Sequence, residues 1–218
     1  MSKKFSLDSI HTAASVEELA EAYGQAAADY DAHVVDEIGW IGHEVIAGVA
    51  SRHLHGNVKL LDAGVGTGLS GAALVAAGYG DIDGFDISKG MLEVARQRNI
   101  YGDLSIAALG DPLPFATGYY DAVIACGVFL GNHAPPGGIE ELIRVTCAGG
   151  HILLTLRAGE DPATTGQYTT QDYRDAMAAH EAQRQWRLVE LTPPQVMLAS
   201  AEDSRHQVWV FEVLEFSV

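Results

Sequence analysis

Apolar and polar positions along this chain follow two different periods. From Val58 onward, short apolar runs alternate with stretches in which apolar side chains return every three or four residues. This is the pattern of βαβ units around a parallel sheet. The runs Val58 to Asp62, Asp81 to Asp86, Leu104 to Ala107, Ala122 to Cys126 and His151 to Leu156 predict strands. Leu69 to Ala77, Lys89 to Arg98 and Ile139 to Arg144 predict the helices between them, with Ser88 as the N-cap of the second. After Arg157 come a loop of Gly, Glu, Asp, Pro and Thr, a helix from about Thr170 to Arg184, and two strand-like runs, Arg187 to Leu191 and Val208 to Leu214. The polar segment between those last runs is too short for a crossover helix, so they are expected to pair antiparallel. Upstream, residues 1 to 14 lack any period and are expected to be poorly ordered. Val16 to Tyr30 reads as a helix capped by Ser15, with Glu18 completing a capping box, and Gly42 to His53 as a second helix. The stretch between them, YDAHVVDEIGW, is both aromatic and acidic, which suits packing against the domain and covering a ligand about equally. No internal repeat or low-complexity tract is present.

The most informative stretch is LLDAGVGTGLSG, Leu60 to Gly71, where an apolar strand enters a glycine-rich turn and then a helix. Gly64, Gly66 and Gly68 take every other position of the bend, which permits positive φ and close approach of a ligand to the backbone. The helix that follows offers free N–H groups and the positive end of its dipole. Asp86 ends the next strand, 18 residues beyond Gly68. A carboxylate there can accept from a ribose hydroxyl pair. These features predict a nucleotide-cofactor cradle without choosing the cofactor, because Gly66-x-Gly68-x-x-Gly71 also satisfies the pattern of NAD-binding domains, and a dehydrogenase is the first rival. Asp62, just ahead of the glycines, argues for a ligand carrying an ammonium and a sulfonium, since a carboxylate there repels a pyrophosphate.

Composition narrows the class. The 218 residues are 48% hydrophobic and can bury one sizeable core. Thirteen basic against 29 acidic residues give a net charge of −16, with no basic run longer than Lys3-Lys4, which speaks against a nucleic-acid surface. Cys126 and Cys147 are too few and too far apart for a disulfide framework, and no segment has the length and apolarity of a membrane span or signal h-region. A soluble cytoplasmic protein is expected, without nucleic acid or membrane as partner. No histidine, including His53 and His55, has acidic or thiol neighbours at ligand spacing, so no metal site is expected.

Four segments in order, LLDAGVGTG, GFDISKGML, LPFATGYYDAVIACGVF and ELIRVTCAGGHILLTLR, resemble class I S-adenosylmethionine-dependent methyltransferases. Within that superfamily YDAHV, GHEVIA and GVFLGNH are similar to the Williams–Beuren syndrome region methyltransferase-like proteins. The resemblance implies an α/β fold: a Rossmann-like, mainly parallel seven-stranded sheet with helices on both faces, the last strand antiparallel, and an N-terminal helical cover. It implies a single domain over 1–218, with the cover at 1–55, a cofactor-binding core at 56–157 and a C-terminal helix with antiparallel strands at 158–218. The implied cofactor is S-adenosyl-L-methionine, giving S-adenosyl-L-homocysteine as product. Gly64, Gly66 and Gly68 would line its methionine part, Asp62 would support its amino end, and Asp86 would hold the ribose. Ile87 and Met91 would flank the adenine. The acid that many relatives place after the third strand is missing here, so backbone groups of Ala108 and Leu109 would hold the adenine, while Asp111 caps a turn. Cys126 would touch the cofactor from beneath, as a small buried residue. Tyr23 and Tyr30 would close over its carboxylate end.

Methyl transfer from a sulfonium is an in-line displacement that needs a base only when the nucleophile carries a proton. His133, in GNHAPP after the fourth strand, is the candidate base, with Asn132 beside it to orient a substrate. The expected activity is methyl transfer to a small-molecule acceptor by a monomer or homodimer. The alternatives are a non-catalytic S-adenosylmethionine-binding protein and a protein methyltransferase, and labelled product would separate them.

Overall fold

The computed structural model describes residues 10, 13–131, 133–159, 167–201 and 203–215. A first helix, α1 (Val16–Ala26), leads through a π-helical turn (Ala32–Glu37) to α2 (Gly42–His53). The alternating region follows as β1 (Lys59–Ala63), α3 (Leu69–Ala76), β2 (Asp81–Asp86), α4 (Lys89–Gln97), β3 (Leu104–Ile106), β4 (Tyr120–Ala125), α5 (Gly138–Val145) and β5 (Thr146–Arg157). The chain closes with α6 (Thr170–Ala182), β6 (Trp186–Leu191), β7 (Gln195–Val196) and β8 (Arg205–Val213). The sheet runs β3-β2-β1-β4-β5-β8-β6, with β7 paired to β8. Strands β1 to β5 are parallel, and β8 lies antiparallel to both β5 and β6. The expected mainly parallel sheet with an antiparallel last strand is therefore present, with the two-residue β7 as an eighth strand. Two residues carry no readable period, which is why β7 escapes the pattern.

Register explains where ligands can gather. Asp62 is level with Gly84 on β2 and with Ile124 on β4. The glycine turn, Asp86 and Cys126 therefore leave the sheet at one edge, where the chain reverses its direction of winding, the usual ligand position in such sheets. Alternation along β1 splits the core. Leu60 faces Ile46, Val49 and Leu74 of α2 and α3, and Leu61 faces Leu142 and Ile143 of α5 and Met177 of α6. Each buried leucine contributes about 1.5–3 kcal/mol by leaving water. Trp186 and Phe211 stack at 3.9 Å between ring centroids and close the far side of the same layer.

The N-terminal cover departs from expectation in two ways. Ser15 caps α1 by accepting from Glu18 N–H at 3.2 Å, but Glu18 reaches back to the N–H of Ala14, one residue beyond the reciprocal partner. The helix also stops at Ala26, and the wider π-helical turn, in which Ile38 N–H donates to His33 C=O, takes the chain onward. That turn buries Val34 and leaves Tyr30 over the sheet edge. Of the stretch expected to be poorly ordered, residues 1–9 and 11–12 lie outside the described residues. Ile10 is buried and packs with Ala13, Leu19 and Ala26. The loop expected after Arg157 falls largely on residues 160–166, also outside them. Among the described residues no helix is long and apolar enough to cross a membrane.

α1 rests on α4 at a pair of glycines. A Cβ on Gly90 would lie 2.7 Å from Gly24 Cα and 2.9 Å from Gly24 O, both rigid backbone, whereas a Cβ on Gly24 would meet nothing closer than Ser88 Oγ at 3.4 Å. Gly90→Ala should therefore cost about 1–3 kcal/mol through overpacking. Gly24→Ala should cost nothing or add up to about 1 kcal/mol of helix propensity. Urea unfolding of the two variants checks this asymmetry, and equal losses would refute it.

Candidate functional site

The glycine turn is tied back to β2 rather than opened outward. Gly64 N–H and Val65 N–H both donate to Phe85 C=O, at 2.9 and 3.0 Å, Gly66 N–H donates to Asp86 Oδ2 at 2.8 Å, and Gly68 N–H donates to Val65 C=O. The three glycines all have positive φ but play different parts. Gly66 has open space where a Cβ would stand, and Gly64 and Gly66 line a cleft. Gly68 is turned away from it, because a Cβ there would strike Arg98 Cδ at 2.9 Å, and it does not line the cleft. The side of Gly68 where a Cβ would stand packs under Arg98 and Tyr101.

Asp62 also sits beneath the turn. It is fully buried, and Ser70 Oγ donates to both its oxygens at 2.9 and 2.7 Å, Tyr101 OH donates at 2.7 Å, and the Gly71 N–H adds a backbone bond. The carboxylate thus occupies the start of α3, where a bound anion would otherwise sit. Burial pushes its pKa up to about 6 despite these donors. It does not line the cleft, so it supports a ligand only through Ser70, which does.

Asp86 stands at the cleft wall with one oxygen accepting from Gly66 N–H and the other from Ser88 N–H, each at 2.8 Å. Each carboxylate oxygen keeps a lone pair, so a ribose hydroxyl pair can still be accepted. Ile87, Met91, Ala108 and Leu109 form the apolar slot beyond it, and Cys126 lies in the floor, where burial raises its thiol pKa and keeps it protonated. Asp111 N–H closes a turn onto Ala108 C=O while its side chain stays exposed outside the slot. Empty space in the cleft, counted to its open mouth, is about 960 Å³.

The cover contributes the opposite wall. Tyr30 lines it, and Tyr23 stands edge-on to Tyr30 at 6.0 Å and to His133 at 5.6 Å between centroids. Tyr23 OH lies 3.3 Å from His133 Nε2 and 3.5 Å from Nδ1. Burial, with Tyr30 and Asp86 adding to it, pushes the Tyr23 phenol far up, so it stays protonated and can donate to the imidazole. Asn132 lies outside the described residues.

Sequence reasoning missed how the cover is fastened. Asp31 accepts from Thr67 Oγ1 with one oxygen and from the Arg98 guanidinium with the other, while Arg98 Nε donates to Thr67 C=O at 2.7 Å. The glycine turn, the end of α4 and the π-helical turn are thereby tied together. These partners lie 31 to 67 positions apart, so no local pattern announces them. Trp40, which closes the stretch read as suiting both packing and ligand cover, and His43, which no sequence pattern singled out, also line the cleft.

Residues 61–154 match the family model described as a methyltransferase domain. Over that stretch the chain is similar to methyltransferases. The chain is 42% identical to human methyltransferase-like protein 27 over 99 residues, 45% of this chain and 40% of that protein. It is 35% identical over 108 residues to a probable 18S rRNA (guanine-N(7))-methyltransferase of Dictyostelium discoideum, covering 44% and 37% of the two chains. Identity to the demethylmenaquinone methyltransferase of Clavibacter sepedonicus is 38% over 99 residues, 44% and 40% of the two chains. The matched segments thus span about two fifths of these relatives' own length. In fold, it superposes on the Burkholderia thailandensis 1,6-didemethyltoxoflavin-N1-methyltransferase solved with S-adenosylhomocysteine, with a TM-score of 0.65 at 14% identity over 93% and 92% of the chains. The cleft itself combines an open Gly66, the Asp86 carboxylate, an apolar slot, and turn amides already spent within the protein.

Asp62 makes stability depend on pH in a defined direction. Its folded pKa lies above the ordinary 3.8, so the folded state binds more protons than the unfolded one between about pH 4 and 6. Its contribution therefore falls as pH rises through that window and stays at its lowest above it. The difference in urea midpoint between the protein and its Asp62→Asn variant should shift steadily across this window and become flat above about pH 7. A constant difference would refute the buried, ionising Asp62.

Proposed function

We propose that this methyltransferase transfers a methyl group to a small-molecule acceptor by in-line displacement, with His133 as general base. One observation carries this reading: a single cleft unites the glycine turn, Asp86 and the Tyr23–His133 pair beneath the cover. When bound, the cofactor supplies an electrophilic methyl on a sulfonium. Gly64 and Gly66 let it approach the backbone, Asp86 accepts from its ribose, and Ile87, Met91, Ala108 and Leu109 hold the adenine. Tyr30 covers its amino-acid end, and Cys126 fills the floor. His133 takes the proton released by an O–H or N–H acceptor, and Tyr23 orients the imidazole by donating to it.

A relative named for rRNA methylation raises an RNA acceptor as the second reading. Charge opposes it. The net charge is −16, and among the described residues Asp86 is the one charged side chain in the cleft wall, so there is no cationic path for phosphates.

Calorimetry with S-adenosylhomocysteine and with NADH tests the donor assignment. The first should bind and the second should not, and the reverse would sink the proposal. Asp86→Ala should weaken S-adenosylhomocysteine by about tenfold or more, the loss of a charge-assisted hydrogen-bond pair. Labelled S-adenosylmethionine incubated with a metabolite extract should give a labelled small molecule, and labelled protein or RNA instead would overturn the acceptor class. With an acceptor in hand, His133→Ala should lower kcat by about 10²–10⁴ while S-adenosylhomocysteine affinity stays within a few-fold. Unchanged turnover would remove His133 as base.

A further inference from the structure

Trp40 and His43 line the cleft but take no part in the donor and base arrangement above. His43 is 9% exposed, and its Nδ1 is sealed from solvent with no hydrogen-bond partner. Leaving a buried polar atom unpaired costs free energy that a protein ordinarily avoids. A histidine ring turns readily between two broad orientations about its second torsion. The nitrogen can therefore swing toward a ligand. Desolvation holds the His43 pKa below its ordinary value, which keeps the ring neutral and able to donate through one nitrogen and accept through the other.

Trp40 is held rigidly. A Cβ on Gly42 would lie 2.0 Å from its Cζ2, so only glycine lets the indole fold back on the start of α2. Its ring meets His206 edge-on at 5.6 Å, and it stands 3.7 Å from where a Gly127 Cβ would be, at the end of β4. A fixed aromatic wall with one unpaired hydrogen-bonding group beside it has the form of a recognition subsite.

We infer that Trp40 and His43 form the acceptor subsite and that it takes a planar, non-anionic aromatic molecule, with Trp40 giving the flat face and His43 the orienting hydrogen bond. This rests on the methyltransferase reading above. The absence of Lys and Arg from the cleft wall among the described residues, together with Asp86 and the net charge of −16, excludes phosphorylated or multiply carboxylated acceptors.

The test uses the full chain saturated with S-adenosylhomocysteine and titrated calorimetrically with 2-naphthol and 2-naphthyl phosphate as probes. 2-Naphthol should bind, and its phosphate at least tenfold more weakly. His43→Phe should weaken 2-naphthol about tenfold, and His43→Gln, which keeps a donor and an acceptor, should recover part of the loss, with S-adenosylhomocysteine affinity within about twofold in both. Phosphate binding equal to or tighter than naphthol overturns the inference. So does 2-naphthol affinity unmoved by His43→Phe, or S-adenosylhomocysteine affinity falling in step with it. Should His43→Phe not fold, His43→Gln decides alone: a several-fold loss of 2-naphthol with donor affinity kept supports the subsite, and no loss overturns it. Failure of the unaltered chain to bind S-adenosylhomocysteine would instead defeat the underlying methyltransferase reading.

Discussion

The site depends on how the end of β2 consumes the amides of the glycine turn. Phe85 C=O takes two of them and the Asp86 carboxylate a third, while Asp62 takes the start of α3. A turn of this kind can cradle a pyrophosphate when its N–H groups point outward. Here the protein's own oxygens occupy those positions. What remains at Gly64 and Gly66 is bare backbone whose N–H groups are already used, suited to a ligand whose charge at that end is positive. The distinction between a dinucleotide and a sulfonium donor therefore rests on where the amides point.

Parallel register makes this arrangement possible. β1, β2 and β4 end level with one another, so turn, acid and thiol meet without any long loop. Two contacts fasten the cover to the glycine turn and α4. One is the ionic link from Asp31 to Thr67 and Arg98, and the other is the glycine contact between α1 and α4. Together they help to place Tyr23 and Tyr30 over the sheet edge.

Most of the sheet was legible in the sequence because strands and helices differ in period, and α2 and β2 have the predicted limits. The glycine turn and Asp86 were legible because their spacing follows from the geometry of one βαβ unit. Three things were hidden. The π-helical turn spans six residues, too few to separate its period from that of an α-helix. Gly68 looks like its neighbours in sequence, and only Arg98 and Tyr101, brought in from the next crossover, decide which way it faces. Asp62 reads as a ligand contact until Ser70 and Tyr101 are seen to use its oxygens. For both Gly68 and Asp62, Tyr101 lies outside the local pattern.

The contact between Gly24 and Gly90 carries a mechanical implication. Tyr23, which meets His133, is the immediate neighbour of one glycine, and Met91, in the apolar slot of the cleft, of the other. Two backbones at van der Waals distance, with no side chain between them to yield, transmit displacement directly. The two ends of the cleft wall thus share one pivot. Evolution of a new acceptor specificity through α1 would have to keep that pivot fixed or retune both ends of the cleft at once.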